Sequence, residues 1–416
     1  MPSLNRQILI AALLGLTIGA ILTQQGDTSS AKTATLYTST LVANVFVDLL
    51  KMILIPLVFS TIVVGVANLQ AHKQIHRVWT STLLFFTVST SLAMLLALIV
   101  MNVFRPGEGL HLSMFQDSMA DFQHKHLMPS EFFAQFLHSL FQNPFSALAK
   151  SDVFAVVIFA LFLGVALVVG GERYRNILNL LQEFLDLMMR IVGWIMYLAP
   201  LGICALLIKL VATQEVALLN TLVKFVVIVT GATLFHGIVV LPLLLYLVTK
   251  KTPLWFWRGA REALITAFAT SSSNATLPVT LRCVEQHLHV RKDIAGFVVP
   301  LGASINMDGT ALYEAAAALF VANLVGIDLS LSQQLIIFCT AMIASMGAPG
   351  IPSAGMVTMI MVLQSVGLPI EAIAILLPID RLLDTVRTAV NVQGDMIGSL
   401  IVQTVVDKDE KQNTHL

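Results

Sequence analysis

Residues 375–405 read ILLPIDRLLDTVRTAVNVQGDMIGSLIVQTV, an apolar run of spanning length that nevertheless carries Asp380, Arg381, Asp384, Arg387 and Asp395. Each charge at the centre of a bilayer helix costs about 2.5–3.5 kcal/mol on insertion scales, so five in one segment need a physical reason. At about 100° per residue, with Asp380 at zero, Asp384 falls at about 40°, Arg387 at about −20°, Asn391 at about 20° and Asp395 at about 60°. The polar side chains therefore share one stripe roughly 80° wide, which must face a protein interior rather than lipid. A self-neutralising structural network is the bland reading of such a face. Three carboxylates and two guanidinium groups, together with Thr388 and Asn391, make a set richer than packing requires.

The rest of the chain agrees with a membrane setting. Of 416 residues, 57% are hydrophobic and 12% charged, where soluble domains carry roughly 25% charged residues. The 24 basic and 24 acidic side chains balance, so net charge points to no nucleic-acid partner, and the expected partner is membrane lipid. Cys204, Cys283 and Cys339 form no CxxC or Cys/His cluster, so neither a disulfide frame nor a zinc site is expected. Apolar segments near 7–24, 40–68, 80–104, 152–170, 177–208 and 217–249 reach the roughly 20 residues that a span requires. The first, with Ile8 to Leu22 at its heart, reads as a spanning helix rather than a signal peptide, because no small-x-small cleavage signal closes it. Lys73 and Arg77, Arg173 and Arg175, then Lys250, Lys251, Arg258 and Arg261 fall in alternate loops. These loops and both termini are expected on the cytoplasmic side of a multi-pass protein of the cell (inner) membrane. The polar stretch 105–151, opened by Pro106, Gly107 and Gly109, reads as an external loop.

Beyond residue 256 the apolar segments are broken by Ser, Gly, Pro and Asn. Ala260 to Thr270 and Leu277 to Leu288 give arms of about 12 residues, worth roughly 18 Å and too short to cross. They predict a re-entrant hairpin whose tip is Ser271, Ser272, Ser273 and Asn274. Gln334 to Met346 and Met356 to Gly367 predict a second hairpin with its tip at 347–355. Irregular backbone at membrane depth persists only where protein or water covers it, so the two tips should line a midplane cavity. Between them, Gly302 to Thr310 (GASINMDGT) interrupts an apolar segment at about 294–324. Unwound backbone there frees carbonyl oxygens, and Asp308 adds a hard anionic one, a donor set suited to an alkali cation. A kinked helix with a hydrogen-bonded Asn is the alternative, and it leaves Asp308 an isolated buried charge.

Four motifs carry a resemblance: Thr270 to Pro278 (TSSSNATLP), Asn306 to Glu314 (NMDGTALYE), Gly350 to Gly355 (GIPSAG) and Asp384 to Asp395 (DTVRTAVNVQGD). In this order and hydropathy frame the chain resembles the glutamate and aspartate transporter family, the dicarboxylate/amino acid:cation symporters. The resemblance implies an all-α polytopic protein with eight transmembrane helices and two re-entrant hairpins, assembled as a homotrimer. A scaffold of helices 1 and 2 (1–78) and 4 and 5 (152–216) would hold a mobile transport domain that moves as an elevator. That domain would comprise helix 3 (79–104) and residues 217–416: helix 6, hairpin 1 (about 257–290), helix 7 (about 294–324), hairpin 2 (about 333–368) and helix 8 (about 372–406).

The resemblance also implies residue roles. Arg387 would grip the substrate's side-chain carboxylate with its planar fork, and Asp384 would hold the amino group. Asn391, with backbone groups, Ser272 and Ser273, would take the α-carboxylate, and Thr310, Thr388 and Gly355 would complete the pocket. Sodium would be the transported ion. One site would use Asp395, Asn306, Asn391 and the Gly302 carbonyl; a second would use carbonyls of Ser304, Ser345, Met346 and Ala348. A third would use Asp308, Asn306, Ser89, Thr90 and the Phe86 carbonyl, oxygen ligands throughout as a hard cation requires.

The chain departs from the family pattern in places. Asn274 stands where a third hairpin serine is common, Phe86 replaces a common tyrosine, and Arg381 precedes Asp384 by three residues instead of an arginine at the hairpin tip. The last change suggests a switchable Arg381–Asp384 pair. Glu314 is glutamine in some sodium-only members and glutamate in the animal excitatory transporters, so it is the candidate proton carrier. The expected function is secondary active import of glutamate or aspartate coupled to sodium and possibly to a proton. A proton-only dicarboxylate/glutamate symporter and an anion-conducting, channel-like member are the alternatives. An intramembrane enzyme is disfavoured because no histidine lies near these motifs to act as base. His72, His76, His287 and His289 read as solvated loop residues, and Met307 as packing.

Overall fold

The computed structural model describes residues 4–25, 29–68, 76–109, 141–150, 153–213, 216–346 and 354–413, and all of its regular structure is helical. The second hairpin tip, Ala348 within it, and most of the expected external loop lie outside the described residues.

The order is α1 (Leu4–Thr23), α2 (Ser30–Asn68), α3 (His76–Phe104), α4 (Pro144–Lys150), α5 (Val153–Gly170), α6 (Arg175–Thr213) and α7 (Val216–Phe235). A π-helical turn, His236–Val240, joins α7 to α8 (Leu241–Thr249). There follow α9 (Pro253–Thr270), α10 (Ser273–Arg282), α11 (Lys292–Ile305), α12 (Asp308–Val325), α13 (Leu331–Met346), α14 (Ala354–Ser365) and α15 (Ile373–Asn413). The continuous helices Arg77–Phe104 and Leu218–Thr249 are long and apolar enough to cross a membrane.

Packing divides these helices into two groups. Helices α1, α2, α5 and α6 contact chiefly one another, whereas α3 and α7 to α15 surround α12 and α15. The groups meet mainly where α14 touches α2 and α5, and where α15 touches α6. Lipid is as apolar as Leu, so helices in a bilayer associate through close van der Waals fit and favour small residues at contacts. Gly15 and Gly19 of α1 show this. A Cβ on Gly15 would stand 2.7 Å from the Cys204 carbonyl oxygen of α6, and one on Gly19 would stand 2.6 Å from Val211 Cβ. Helix α12 sits at the centre of the second group and is buried at every position from Asp308 to Ala322. Its alanines at 315–318 admit close neighbours, and Phe320 stacks on Phe225 of α7 with ring centroids 4.3 Å apart.

The sequence-based boundaries need three corrections. The first arm of hairpin 1 begins at Pro253, not at 260, because the Thr252 side chain accepts a hydrogen bond from Trp255 N and Pro253 opens the helix. The second arm begins at Ser273, which removes Ser273 and Asn274 from the tip. Ser271 takes the left-handed conformation (φ 50°) and Ser272 caps α10 by accepting from Ala275 N. In the third, the interruption expected over Gly302 to Thr310 narrows to Asn306 and Met307, the only two residues between α11 and α12. Gly302 to Ile305 keep their helical bonds; Asn306 N, for example, still donates to Gly302 O at 2.8 Å.

Candidate substrate and cation site

The α15 stripe points inward as its spacing requires. Asp380, Asp384, Arg387, Thr388, Asn391 and Asp395 are all buried. Arg387 is 1% exposed, and its Nη2 donates to Asp380 Oδ1 at 2.7 Å and Asp384 Oδ1 at 2.9 Å. Its Cζ lies 4.0 Å from the Tyr313 ring centroid, so α12 supplies an aromatic face to the cation. Asp384 Oδ2 stands 3.5 Å from Arg381 Nη1. Two carboxylates thus balance two guanidinium groups. Asp380, absent from the expected substrate set, is a principal partner of Arg387.

Arg387 keeps unused donors: Nε and Nη1 are buried without a hydrogen-bond partner among the described residues. Nη1 borders the start of α14, since a Cβ on Gly355 would stand 3.9 Å from Arg387 Nη1 and 3.0 Å from Thr310 Cγ2. A buried charged donor without an acceptor is costly, and a carboxylate would supply the acceptor that Nη1 lacks. Gly309 allows the close approach of α12 to α15, because its Cβ would fall 2.8 Å from the Arg387 backbone.

Asn391 links the two helices. Its Oδ1 accepts from Gly309 N at 2.8 Å, and its Nδ2 reaches Thr310 Oγ1 and Met307 Sδ, both at 3.3 Å. Met307 is therefore more than packing, since its sulfur is the acceptor that orients the amide. Ser271 and Ser272 are buried at the hairpin 1 tip, Ser273 is buried at the start of α10, and Ser271 Oγ has no hydrogen-bond partner among the described residues.

The oxygen clusters lie beside this pocket. Asn306 Nδ2 donates to Asp395 Oδ1 at 3.0 Å, which places the Asn306, Asp395 and Gly302 set together around the break between α11 and α12. Asp308 Oδ1 accepts from Thr90 Oγ1 at 2.6 Å and Ser89 Oγ at 3.2 Å, and Ser89 Oγ also lies 3.2 Å from Phe86 O and 3.4 Å from Asn306 Oδ1. All five residues of the third expected set are thus within one hydrogen-bonded cluster. The remaining carbonyl set is only partly described: Ser345 is buried and Met346 exposed at the end of α13, Ser304 is exposed on α11, and Ala348 lies outside the described residues.

Glu314 is buried on α12 one turn beyond Thr310. Thr358 of α14 donates to its Oε1, while Oε2 has no partner among the described residues. The contact joins the central helix to the second arm of hairpin 2.

Like Asp380, His236 lies outside the expected set. His236, fully buried, brings Nε2 to 3.2 Å from Asp308 Oδ2. It opens the π-helical turn, whose altered ladder leaves Gly237 O to accept from Gln393 Nε2 of α15 at 2.6 Å. The expectation that no histidine approaches the motifs is therefore overturned: 72 positions separate His236 and Asp308 in sequence, and the fold closes that gap. An ionisable side chain inside an otherwise apolar span was the available signal.

The comparisons with known proteins follow the same geometry. Residues 4–405 match the sodium:dicarboxylate symporter family. The chain is 33% identical to the proton/glutamate-aspartate symporter of Escherichia coli (strain K12), covering 96% of this chain and 92% of that protein. It is 32% identical to the proton/sodium-glutamate symport protein of Geobacillus stearothermophilus, over 95% of this chain and 93% of the relative. With excitatory amino acid transporter 3 of Oryctolagus cuniculus it shares 32% identity, over 97% and 85%. The broken α11–α12 helix, the charged stripe of α15 and these matches over nearly the whole length together assign the chain to the sodium:dicarboxylate symporter family.

Proposed function

We propose that the chain is a secondary active symporter that imports acidic amino acids, glutamate or aspartate, with sodium and a proton. The observation that carries this reading is the buried Arg387, whose Nη1, without a hydrogen-bond partner among the described residues, lies beside Gly355. A side-chain carboxylate would accept from Nη1, and the ammonium group would lie on Asp384, which already stands between two guanidinium groups. Asn391 and the backbone of the hairpin 1 tip would orient the α-carboxylate. The substrate names of the relatives support the same class.

Sodium would bind among the oxygens around Asp308 and Asp395. Asn306 touches both clusters, and Asn391 is shared with the substrate pocket, so filling one site would order groups that the other needs. The two oxygen clusters favour this reading over a proton-only symporter. Glu314, desolvated and held by Thr358, would carry the proton.

In this reading α1, α2, α3, α5, α6, α7 with α8, α11 with α12, and α15 are the eight spans, and α9–α10 and α13–α14 are the two re-entrant hairpins. The sparse contact between the two packing groups supports a fixed scaffold (α1, α2, α5 and α6) and a body that slides past it. A homotrimer in the cell (inner) membrane, with both termini cytoplasmic, completes the proposal. The test is uptake of labelled aspartate and glutamate into proteoliposomes with each gradient imposed alone. Accumulation driven by an inward sodium gradient is expected; accumulation indifferent to sodium would refute the coupling.

A further inference from the structure

The polar end of hairpin 1 contains a pocket of about 440 Å³, lined among others by Trp255, Arg258, Arg261, Glu262, His287 and His289. We propose that it binds the headgroup phosphate of an anionic phospholipid. The inference rests on the membrane placement proposed above but not on the identity of the transported substrate.

Local structure builds the pocket. Helix α10 ends in a π-helical turn, Cys283–His287, and His289 follows in the left-handed conformation (φ 57°). The bulge and the left-handed residue turn the chain back against α9 and hold both imidazoles at the rim; π-bulges recur at functional sites. Gly259 makes the approach possible, since a Cβ there would stand 3.1 Å from Leu288 Cγ and 3.4 Å from His287 Cβ. The charge is one-sided. Glu262 is the acid in the lining, and it is taken by Arg282 of the opposite arm. Arg258 and Arg261 have no ion pair among the described residues. A guanidinium fork matches a phosphate group better than an ammonium does.

The pocket continues into an apolar track, which favours a lipid over a free anion. Arg258, Arg261, Ile265 and Phe268 are spaced by three and four residues and share one face of α9. Ile265 is 69% and Phe268 51% exposed, about 10–15 Å along the helix from Arg258 at 1.5 Å per residue. Basic groups at the polar end and bare apolar side chains deeper on the same face match a headgroup followed by its acyl chains. Trp255, beside the headgroup position, suits the membrane interface. A bound lipid would join the two arms of hairpin 1 at their polar ends.

The test uses the full chain in mild detergent, offered an equimolar mixture of phosphatidylglycerol and phosphatidylcholine and read by native mass spectrometry. The wild type should retain phosphatidylglycerol about tenfold over phosphatidylcholine, the scale expected for basic side chains at an anionic surface. Arg258→Gln with Arg261→Gln should bring that ratio close to parity, whereas Arg258→Lys with Arg261→Lys should keep most of it. Arg173→Gln with Arg175→Gln, which removes a different basic pair, should leave it unchanged. Parity in the wild type, an equal loss in the Arg173/Arg175 variant, or displacement of the lipid by millimolar inorganic phosphate would each overturn the proposal. The wild-type ratio decides the matter if the glutamine variant does not fold, and it is independent of whether any amino acid is transported.

Discussion

His236 Nε2 lies 3.2 Å from Asp308 Oδ2, while Thr90 and Ser89 occupy Oδ1 of the same carboxylate. Three contacts from two further helices fix a buried acid within the proposed sodium site. Outer groups that orient a ligand typically matter by about 10–100-fold in metal affinity. His236→Ala should therefore raise the sodium concentration for half-maximal uptake about tenfold, with substrate affinity at saturating sodium largely preserved. Sodium titrations of uptake in proteoliposomes provide the check; an unchanged sodium dependence would show that the contact is only structural.

Asp395 pairs with Asn306 at 3.0 Å rather than with a cation of the protein itself. Asp395→Asn removes the charge while keeping the shape, so sodium dependence should weaken before substrate recognition does. Calorimetry of aspartate binding should then respond several-fold less to sodium than in the wild type. An identical sodium response in both proteins would remove Asp395 from the ion site.

Glu314 and Thr358 hold α12 to α14 through a hydrogen bond, with the second carboxylate oxygen unpartnered among the described residues. As a proton carrier, Glu314 binds its proton outside with substrate and gives it up inside, so external acidification should accelerate net uptake. Glu314→Gln should keep exchange of internal for external substrate while abolishing most net uptake and its response to a pH gradient. Wild-type uptake that neither acidifies the proteoliposome lumen nor responds to such a gradient would leave Glu314 structural.

Gly15 and Gly19 let α1 close on α6. Replacing Gly15 with Leu forces the helices apart, at a cost of about 1–3 kcal/mol for overpacking. Thermal unfolding followed by tryptophan fluorescence in detergent should show a midpoint lowered by several degrees. An unaltered midpoint would mean that the α1–α6 contact contributes little.

Much of this arrangement was legible in the sequence because membrane burial leaves few explanations for polar groups. The stripe from Asp380 to Asp395 has a helical period and no apolar reason to exist, so its inward face follows directly. The break at Asn306 and Met307 was visible for the same reason, although its width was not: Gly302 tolerates irregular backbone without requiring it, and the helical hydrogen bonds persist through Ile305. The start of α9 is encoded by Thr252 and Pro253, a standard helix opening, but it lies in a polar, basic stretch ahead of the apolar run that marks the arm. The approach of His236 to Asp308 joins residues 72 positions apart, which periodicity does not encode; the stripe puts Asp380 and Arg387 on one face but does not say which acid Arg387 takes. The roles of Gly15 and Gly19 likewise become apparent only when α6 is beside them.

The central claim is that Arg387 selects an acidic substrate, and calorimetric titration of aspartate into the Arg387→Cys variant at saturating sodium tests it most directly. The variant should show no measurable aspartate binding, a loss of at least about tenfold for one charge-assisted carboxylate contact, and neutral amino acids of similar size should bind instead. Aspartate binding with wild-type affinity would contradict the account.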